Sequence, residues 1–262
     1  MMKYLNSHLR LIQLLLFVLL FASAELGVRL FFQDNTAMFP PSEVLLKMPE
    51  LLNCVLPNNS GFLFNAGVTC RRAAVGFLLC AILGVACGLV LGKFDGVYRV
   101  LQPFIDFMRP IPSSALILPV LVILKETEWS YMFVIVFGAI WPVLINTTQA
   151  LRKEDFSSYA ATTQLALTRS AMVLRVLIPK VTPEVVSGLK VSMSICVIIT
   201  VTVELIASPR HGLGVLMKFI ENGGDLRLLY CTFLAICGIG FVLNRLIEFI
   251  LSKLRWGTVY SN

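Results

Sequence analysis

The chain has 262 residues, 57% of them hydrophobic and only 14% charged, where a soluble domain carries roughly 25% charged residues. That inventory excludes a water-soluble globule, and the apolar residues fall in blocks, as a bilayer demands of each spanning helix. The net charge of +7 comes from Lys and Arg spread along the chain; with no basic stripe interleaved with aromatics, nucleic-acid binding is set aside.

The first apolar run, Leu11 to Ala24, follows Lys3 and Arg10 and ends in Ala22-Ser23-Ala24, the outline of a secretory signal. Apolar character resumes past Glu25 through Leu26, Val28, Leu30, Phe31 and Phe32, so an uncleaved first span is expected, with Glu25 and Arg29 paired four residues apart. Residues 33 to 72 are more polar and are broken by Pro40, Pro41, Pro57, Asn58, Asn59 and Gly61. Within them, Val44, Leu45, Met48, Leu51 and Leu52 have helical spacing, which predicts a short interfacial helix over Ser42 to Leu52. Cys54 and Cys70 fall in this connection, expected outside, where a disulfide between them is chemically allowed. Cys80, Cys87, Cys196, Cys231 and Cys237 lie in apolar runs and are expected to pack as small hydrophobes.

The later spans are uninterrupted by charge: Ala73 to Gly92, Pro110 to Leu124 and Ser130 to Leu151. The second of these is short unless Phe104 to Met108 extends it. Val185 to Ala207 is a fifth span, with Lys190 near one end and Glu204 near the other, and a sixth begins at Leu228 and continues past Asn244. The fold class expected is therefore an all-α integral membrane protein of about six transmembrane helices. Residues 1–72 form an N-terminal span with an extracytoplasmic or interfacial segment, and 73–262 a core of five spans with a cytoplasmic loop at 152–183. With the N-terminus inside, 14 of the 22 basic residues fall on cytoplasmic segments, the largest share between Arg152 and Lys190. That bias places the loop, and both termini, in the cytoplasm.

Catalytic chemistry has no support. The two histidines, His8 and His211, have no nucleophile or metal-ligand pattern near them, so neither a catalytic nor a metal site is expected. No GxxxxGK[ST] loop occurs, so the chain is expected to bind no nucleotide itself.

Three ordered segments carry a resemblance. Tyr159 to Pro183 reads YAATTQLALTRSAMVLRVLIPKVTP. Its spacing resembles the cytoplasmic Glu-Ala-Ala loop of binding-protein-dependent ABC importer permeases: Ala160, Ala161 and Thr162 stand at the first three places, Ala166 at the Gly place, and Val176, Ile178 and Pro179 at the end. The Glu and the Gly are lost. Phe104 to Ile123 is similar to a segment of the taurine, alkanesulfonate and nitrate branch, through Arg109, Pro110, Pro112, Ala115 and Pro119. Val203 to Met217 is similar to that branch's signature through Glu204, Gly212, Leu213 and Gly214. One departure is plain: where the branch has an FGxG-like turn, this chain has Lys125-Glu126-Thr127-Glu128 and is a residue shorter.

The resemblance implies the type I ABC importer permease fold in a bacterial inner membrane. It implies a second copy of this permease, two copies of a cytoplasmic ABC ATPase holding ATP and Mg, and an extracytoplasmic binding protein delivering a small solute such as a sulfonate, taurine or nitrate-like anion. ATPase coupling falls to Ala160, Ala161, Thr162, Leu165, Ala166, Leu167, Thr168, Arg169 and Pro179. Candidates for the translocation pathway are Arg109, Pro110, Pro112, Ser113, Ser192, Ser194 and Glu204. Arg109 has the alternative of snorkelling, Ser192, Ser194 and Thr200 that of bonding back within their helix, and Glu204 that of pairing with a neighbouring helix. Gly212 and Gly214 are expected in a tight extracytoplasmic turn. Two rivals stay open on the residues alone: a gradient-driven secondary transporter, disfavoured because no acid lies mid-span, and a non-transporting membrane scaffold.

Overall fold

A computed structural model describes residues 2–31, 38–153 and 178–253. These are helical apart from short connections and one isolated bridge between Val55 and Gly61. The helices, in chain order, are α1 (Met2–Phe31), α2 (Pro41–Leu52), α3 (Phe62–Lys93), α4 (Asp95–Met108), α5 (Ser113–Leu124), α6 (Glu128–Lys153), α7 (Ile178–Ala207), α8 (Leu213–Asn222) and α9 (Leu226–Lys253). Segments Phe62–Lys93, Glu128–Lys153, Val181–Ala207 and Leu226–Leu251 are each long and apolar enough to cross a membrane. The α4–α5 pair makes a fifth crossing if counted as one span, although the two helices meet at 94°. The first expected span falls on α1, which at 30 residues is about 45 Å long.

Two compact units arise: Met1–Leu63 with Leu216–Ala235, and Phe64–Val215 with Ile236–Asn262. In the first unit, the predicted interfacial helix exists as α2, opening with Pro41 at a position where a missing N–H costs nothing. The Glu25 carboxylate ties α1 to it, accepting from the Ser42 hydroxyl at 2.6 Å and backbone N–H at 3.0 Å while pairing with Arg29 at 2.7 Å. On the far side Lys47 reaches Asp225 at 3.5 Å and the Cys231 thiol donates to the Val44 carbonyl at 3.0 Å. Cys54 and Cys70 are both free thiols.

The second unit holds the main core, built by α3, α5, α6 and α7 around Cys80, Ile117, Ile135, Ala139, Cys196, Ile199 and Val203. Between two lipid-immersed helices the hydrophobic effect contributes little, so close backbone approach and dispersion must hold them. The sequence supplies this with a small residue at every fourth position of α3: Gly76, Cys80, Gly84, Gly88 and Gly92. A methyl group on Gly84 would lie 2.8 Å from the Val143 side chain, one on Gly88 2.6 Å from Thr147, and one on Gly92 2.6 Å from Leu151. Gly188 lets α7 approach α6 in the same way, since a methyl group on it would lie 2.7 Å from the Pro142 carbonyl oxygen. Val122 and Ile123 of α5 and Phe241, Val242 and Phe249 of α9 stay exposed on the surface of the chain.

Two boundaries differ from the sequence reading. The second span starts at Phe62 rather than Ala73, so Arg71 and Arg72 are helical residues rather than part of an outside loop. The third span is broken between Met108 and Ser113, because Pro110 and Pro112 have no N–H for the preceding turn.

Candidate functional site

The Phe62 start matters because it brings polar residues into the bundle. Asn65, Thr69 and Arg72 recur at i, i+4 and i+7, so they share one face of α3, and all three are buried. That face meets Glu204, on the last turn of α7 and fully buried. A carboxylate so placed is tolerated only if its lone pairs are filled. Here the Arg72 guanidinium donates to Glu204 Oε1 at 2.9 Å, the Thr69 hydroxyl to Oε2 at 2.8 Å and the Gly214 N–H to Oε2 at 3.1 Å.

The same residues hold the start of α8. The Gly212 N–H donates to Asn65 Oδ1 at 2.8 Å and the Leu213 N–H to Thr69 Oγ1 at 2.9 Å. Together with Glu204 they satisfy N–H groups that a helix start leaves open, and a carboxylate there also meets the positive end of the helix dipole. Gly212 has φ +142° and a side chain on it would overlap the Glu204 carboxylate. Gly214 lies inside α8 rather than in the expected turn, and a methyl group there would sit 2.6 Å from Glu204 Cβ. Both glycines are needed to let the acid in.

Arg72 has a second carboxylate. Its Nε donates to Glu128 Oε2 at 3.1 Å and its Nη2 to Oε1, a bidentate pair, while Nη1 also donates to the His211 carbonyl at 2.7 Å. The Tyr131 ring lies 5.4 Å from the guanidinium, within cation–π range. Glu128 belongs to the Lys125-Glu126-Thr127-Glu128 departure, so the changed turn delivers a ligand for Arg72. That turn also holds Lys125 at φ 61°, ψ 178°, a region almost reserved for glycine. Ser130 fixes it by donating to the Lys125 carbonyl at 2.6 Å.

The pathway candidates do not gather at one place. Glu204 sits in the clasp just described, paired with a neighbouring helix. Ser192 is buried and donates to the Ala139 carbonyl of α6 at 2.7 Å; Ser194 meets Asn244 of α9 at 3.1 Å and its own helix at Lys190 O at 3.4 Å. Thr200 is buried and its hydroxyl has no partner among the described residues. Ser113 opens α5 and packs against Gly138. Pro110 and Pro112 form the break, and Arg109 ends α4 there, its N–H bonded to the Ile105 carbonyl at 3.0 Å. Among the coupling-loop residues, Ala160, Ala161, Thr162, Leu165, Ala166, Leu167, Thr168 and Arg169 lie outside the described residues, and Pro179 is the second residue of α7. Among the described residues no His, Cys, Asp and Glu cluster could hold a metal.

Residues 81–256 match the family described as the binding-protein-dependent transport system inner membrane component. The chain belongs to that family. The permease is 27% identical over 197 residues to a nitrate import permease protein of Leptolyngbya laminosa, covering 74% of this chain and 70% of that one. It is 26% identical to a bicarbonate transport system permease of Synechococcus elongatus, covering 76% and 70%. Against an aliphatic sulfonates transport permease of Bacillus subtilis, described as putative, it is 25% identical, covering 86% and 80%. Its fold is that of a chain in an inward-facing methionine ABC transporter, MetNI, with a TM-score of 0.61 at 16% identity over 79% of the permease and 97% of that chain. The permease is thus an integral membrane transport subunit of the type I ABC importer class.

Proposed function

We propose that this permease works as a pair of identical copies, joined to two copies of a cytoplasmic ABC ATPase and served by an extracytoplasmic binding protein. ATP and Mg belong to the ATPase; the permease supplies the path. The observation that carries this reading is the broken-span bundle, which follows a methionine importer's fold along nearly the whole of that importer's chain. The loop at residues 152–183 then receives the ATPase's movement, with both termini on the same cytoplasmic side. Nitrate, bicarbonate and sulfonate permeases among the relatives favour a small oxyanion-bearing solute.

Alternating access needs rigid blocks that move against one another. The clasp of Arg72, Glu128 and Glu204 suits a block, because buried charge-assisted hydrogen bonds join α3, α7 and the start of α8, and the half-exposed Glu128 adds α6. Phosphate release tests the division of labour: the purified permease alone hydrolyses no ATP, and hydrolysis appears with its ATPase. Robust hydrolysis by the permease alone, free of contaminants, contradicts the reading.

A further inference from the structure

Helix α4 is 14 residues long and carries no buried residue, so burial of apolar surface does little to fix it against its neighbours. A cavity of about 120 Å³ lies between it, α3 and α6, lined on its side by Tyr98, Gln102, Ile105 and Asp106. The far end of α4 runs into the Pro110–Pro112 break and meets α5 at 94°. Helix α5, by contrast, is seated in the main core through Ile117 and Val120. A rod about 21 Å long, loosely seated and joined end-on to a core helix, works as a lever if something grips it.

Arg152 of α6 supplies the grip. Asp95 and Tyr98 are three apart at the start of α4 and so share a face. The Arg152 guanidinium donates to Asp95 Oδ1 at 2.7 Å and lies 3.8 Å from the centre of the Tyr98 ring. Arginine can make both contacts at once, because its planar fork bonds in one direction and its face stacks in another. Among the described residues, no side chain outside α4 other than Arg152 pairs with a residue of α4 or stacks on one.

The place of Arg152 in the chain matters as much. It stands one residue from the end of α6, at the mouth of the loop that receives the ATPase's movement in the reading above. The two ends of that loop are held together by the Lys153–Glu184 pair at 3.1 Å and by the packing of Ala150 and Leu151 on Val181. Leu151 also closes on α3 at Gly92. A displacement of the loop therefore moves the ends of α6 and α7 as a unit, and the grip on α4 moves with them.

We infer that Arg152 is a positioning residue for energy coupling: through Asp95 and Tyr98 it carries the loop's movement into α4, and the proline break passes it on to α5. The inference rests on the importer reading above and adds to it the connection between the loop and the broken span. Such a connection is demonstrated by measured coupling, since adjacency alone proves none.

The test uses the full-length permease with its ATPase in lipid nanodiscs, with Cys54, Cys70, Cys87 and Cys237 changed to Ser. An environment-sensitive fluorophore is placed on Phe104→Cys of α4 or Val122→Cys of α5, both exposed positions. Trapping the ATPase with ATP and vanadate should shift the emission of both probes. Arg152→Met and Tyr98→Leu should each shrink that shift at least about fivefold, the lower end of ordinary couplings, while hydrolysis stays near the parent rate. Adding Asp95→Asn to Arg152→Met should lose nothing further, because the two residues act through one contact. Arg152→Lys, which keeps a cation within reach of Asp95, should recover part of the shift. Arg99→Met should keep all of it: Arg99 pairs with the same Asp95 at 2.8 Å but lies 78% exposed within α4 and reaches no second helix. A full shift in Arg152→Met overturns the inference, and so does a shift that falls only in proportion to hydrolysis in both single variants. Probes that never respond in a parent complex that hydrolyses ATP also overturn it and leave the importer reading standing, whereas failure of the permease to assemble with any ATPase removes that reading itself.

Discussion

Removing Arg72 is the most informative single perturbation of the bundle. Glu204 is 0% exposed and Arg72 4%, whereas Glu128 is about half exposed, at 51%. Arg72→Met keeps the length of the side chain but leaves Glu204 charged and buried with only Thr69 and the Gly214 N–H. Stranding one partner of a buried pair costs about 3–5 kcal/mol. For a chain of this size that lowers the unfolding midpoint by roughly 6–20 °C, at 2–4 °C per kcal/mol. Glu128→Gln removes the half-exposed partner, where screening holds the loss to about 0–1 kcal/mol. Adding Glu204→Gln to Arg72→Met removes the stranded charge, so the double variant should be more stable than Arg72→Met alone, a coupling that only a direct pair produces. The assay is thermal unfolding in detergent followed by a thiol-reactive dye, in a background where the exposed Cys87 and Cys237 are changed to Ser, since Cys80 and Cys196 are buried until the bundle opens. An Arg72→Met midpoint within about 2 °C of the parent, or a double variant no better than the single, would refute the reasoning.

Three further outcomes follow from the same geometry. Gly88→Leu forces α3 from α6 at Thr147 and should destabilise by at least about 1–3 kcal/mol, whereas Gly238→Leu, with nothing within 4 Å, should stay within about 0.5 kcal/mol; equal midpoints in the same melt would contradict the packing. Lys125→Gly relieves a backbone conformation costing about 1–3 kcal/mol, so the midpoint should rise, and a fall would mean that Lys125 makes a compensating contact. Ala166→Asp adds a charge that an apolar docking contact must bury unpaired; the variant should insert normally and lose its ATPase on co-purification, and undiminished recovery of an active complex would move coupling away from residues 152–183.

The spans were legible because lipid imposes long apolar runs, and charge-free blocks such as Ser130 to Leu151 read directly as α6. Their ends were not. Arg71 and Arg72 suggested a loop, since an arginine at membrane depth is costly; only the fold supplies the carboxylates of Glu128 and Glu204, 56 and 132 residues away, that make it tolerable. The i, i+4, i+7 spacing of Asn65, Thr69 and Arg72 was the available signal, and it becomes meaningful once the helix is extended back to Phe62. The glycine repeat from Gly84 to Gly92 was likewise present as a small-xxx-small pattern. Glu204 stood out by itself, but its setting inside the bundle depends on Gly212 and Gly214, whose spacing shows only that something must come close.

The central claim, a permease powered through a partner ATPase and fed by a binding protein, is tested most directly by solute uptake into proteoliposomes holding the assembled complex. With ATP inside the compartment that the ATPase faces and the loaded binding protein on the other side, labelled solute should accumulate against its gradient. Leaving out either ATP or the binding protein should reduce accumulation to the level of empty liposomes. Accumulation that persists without ATP and collapses when an ion gradient is discharged would contradict the account and restore the secondary-transporter alternative.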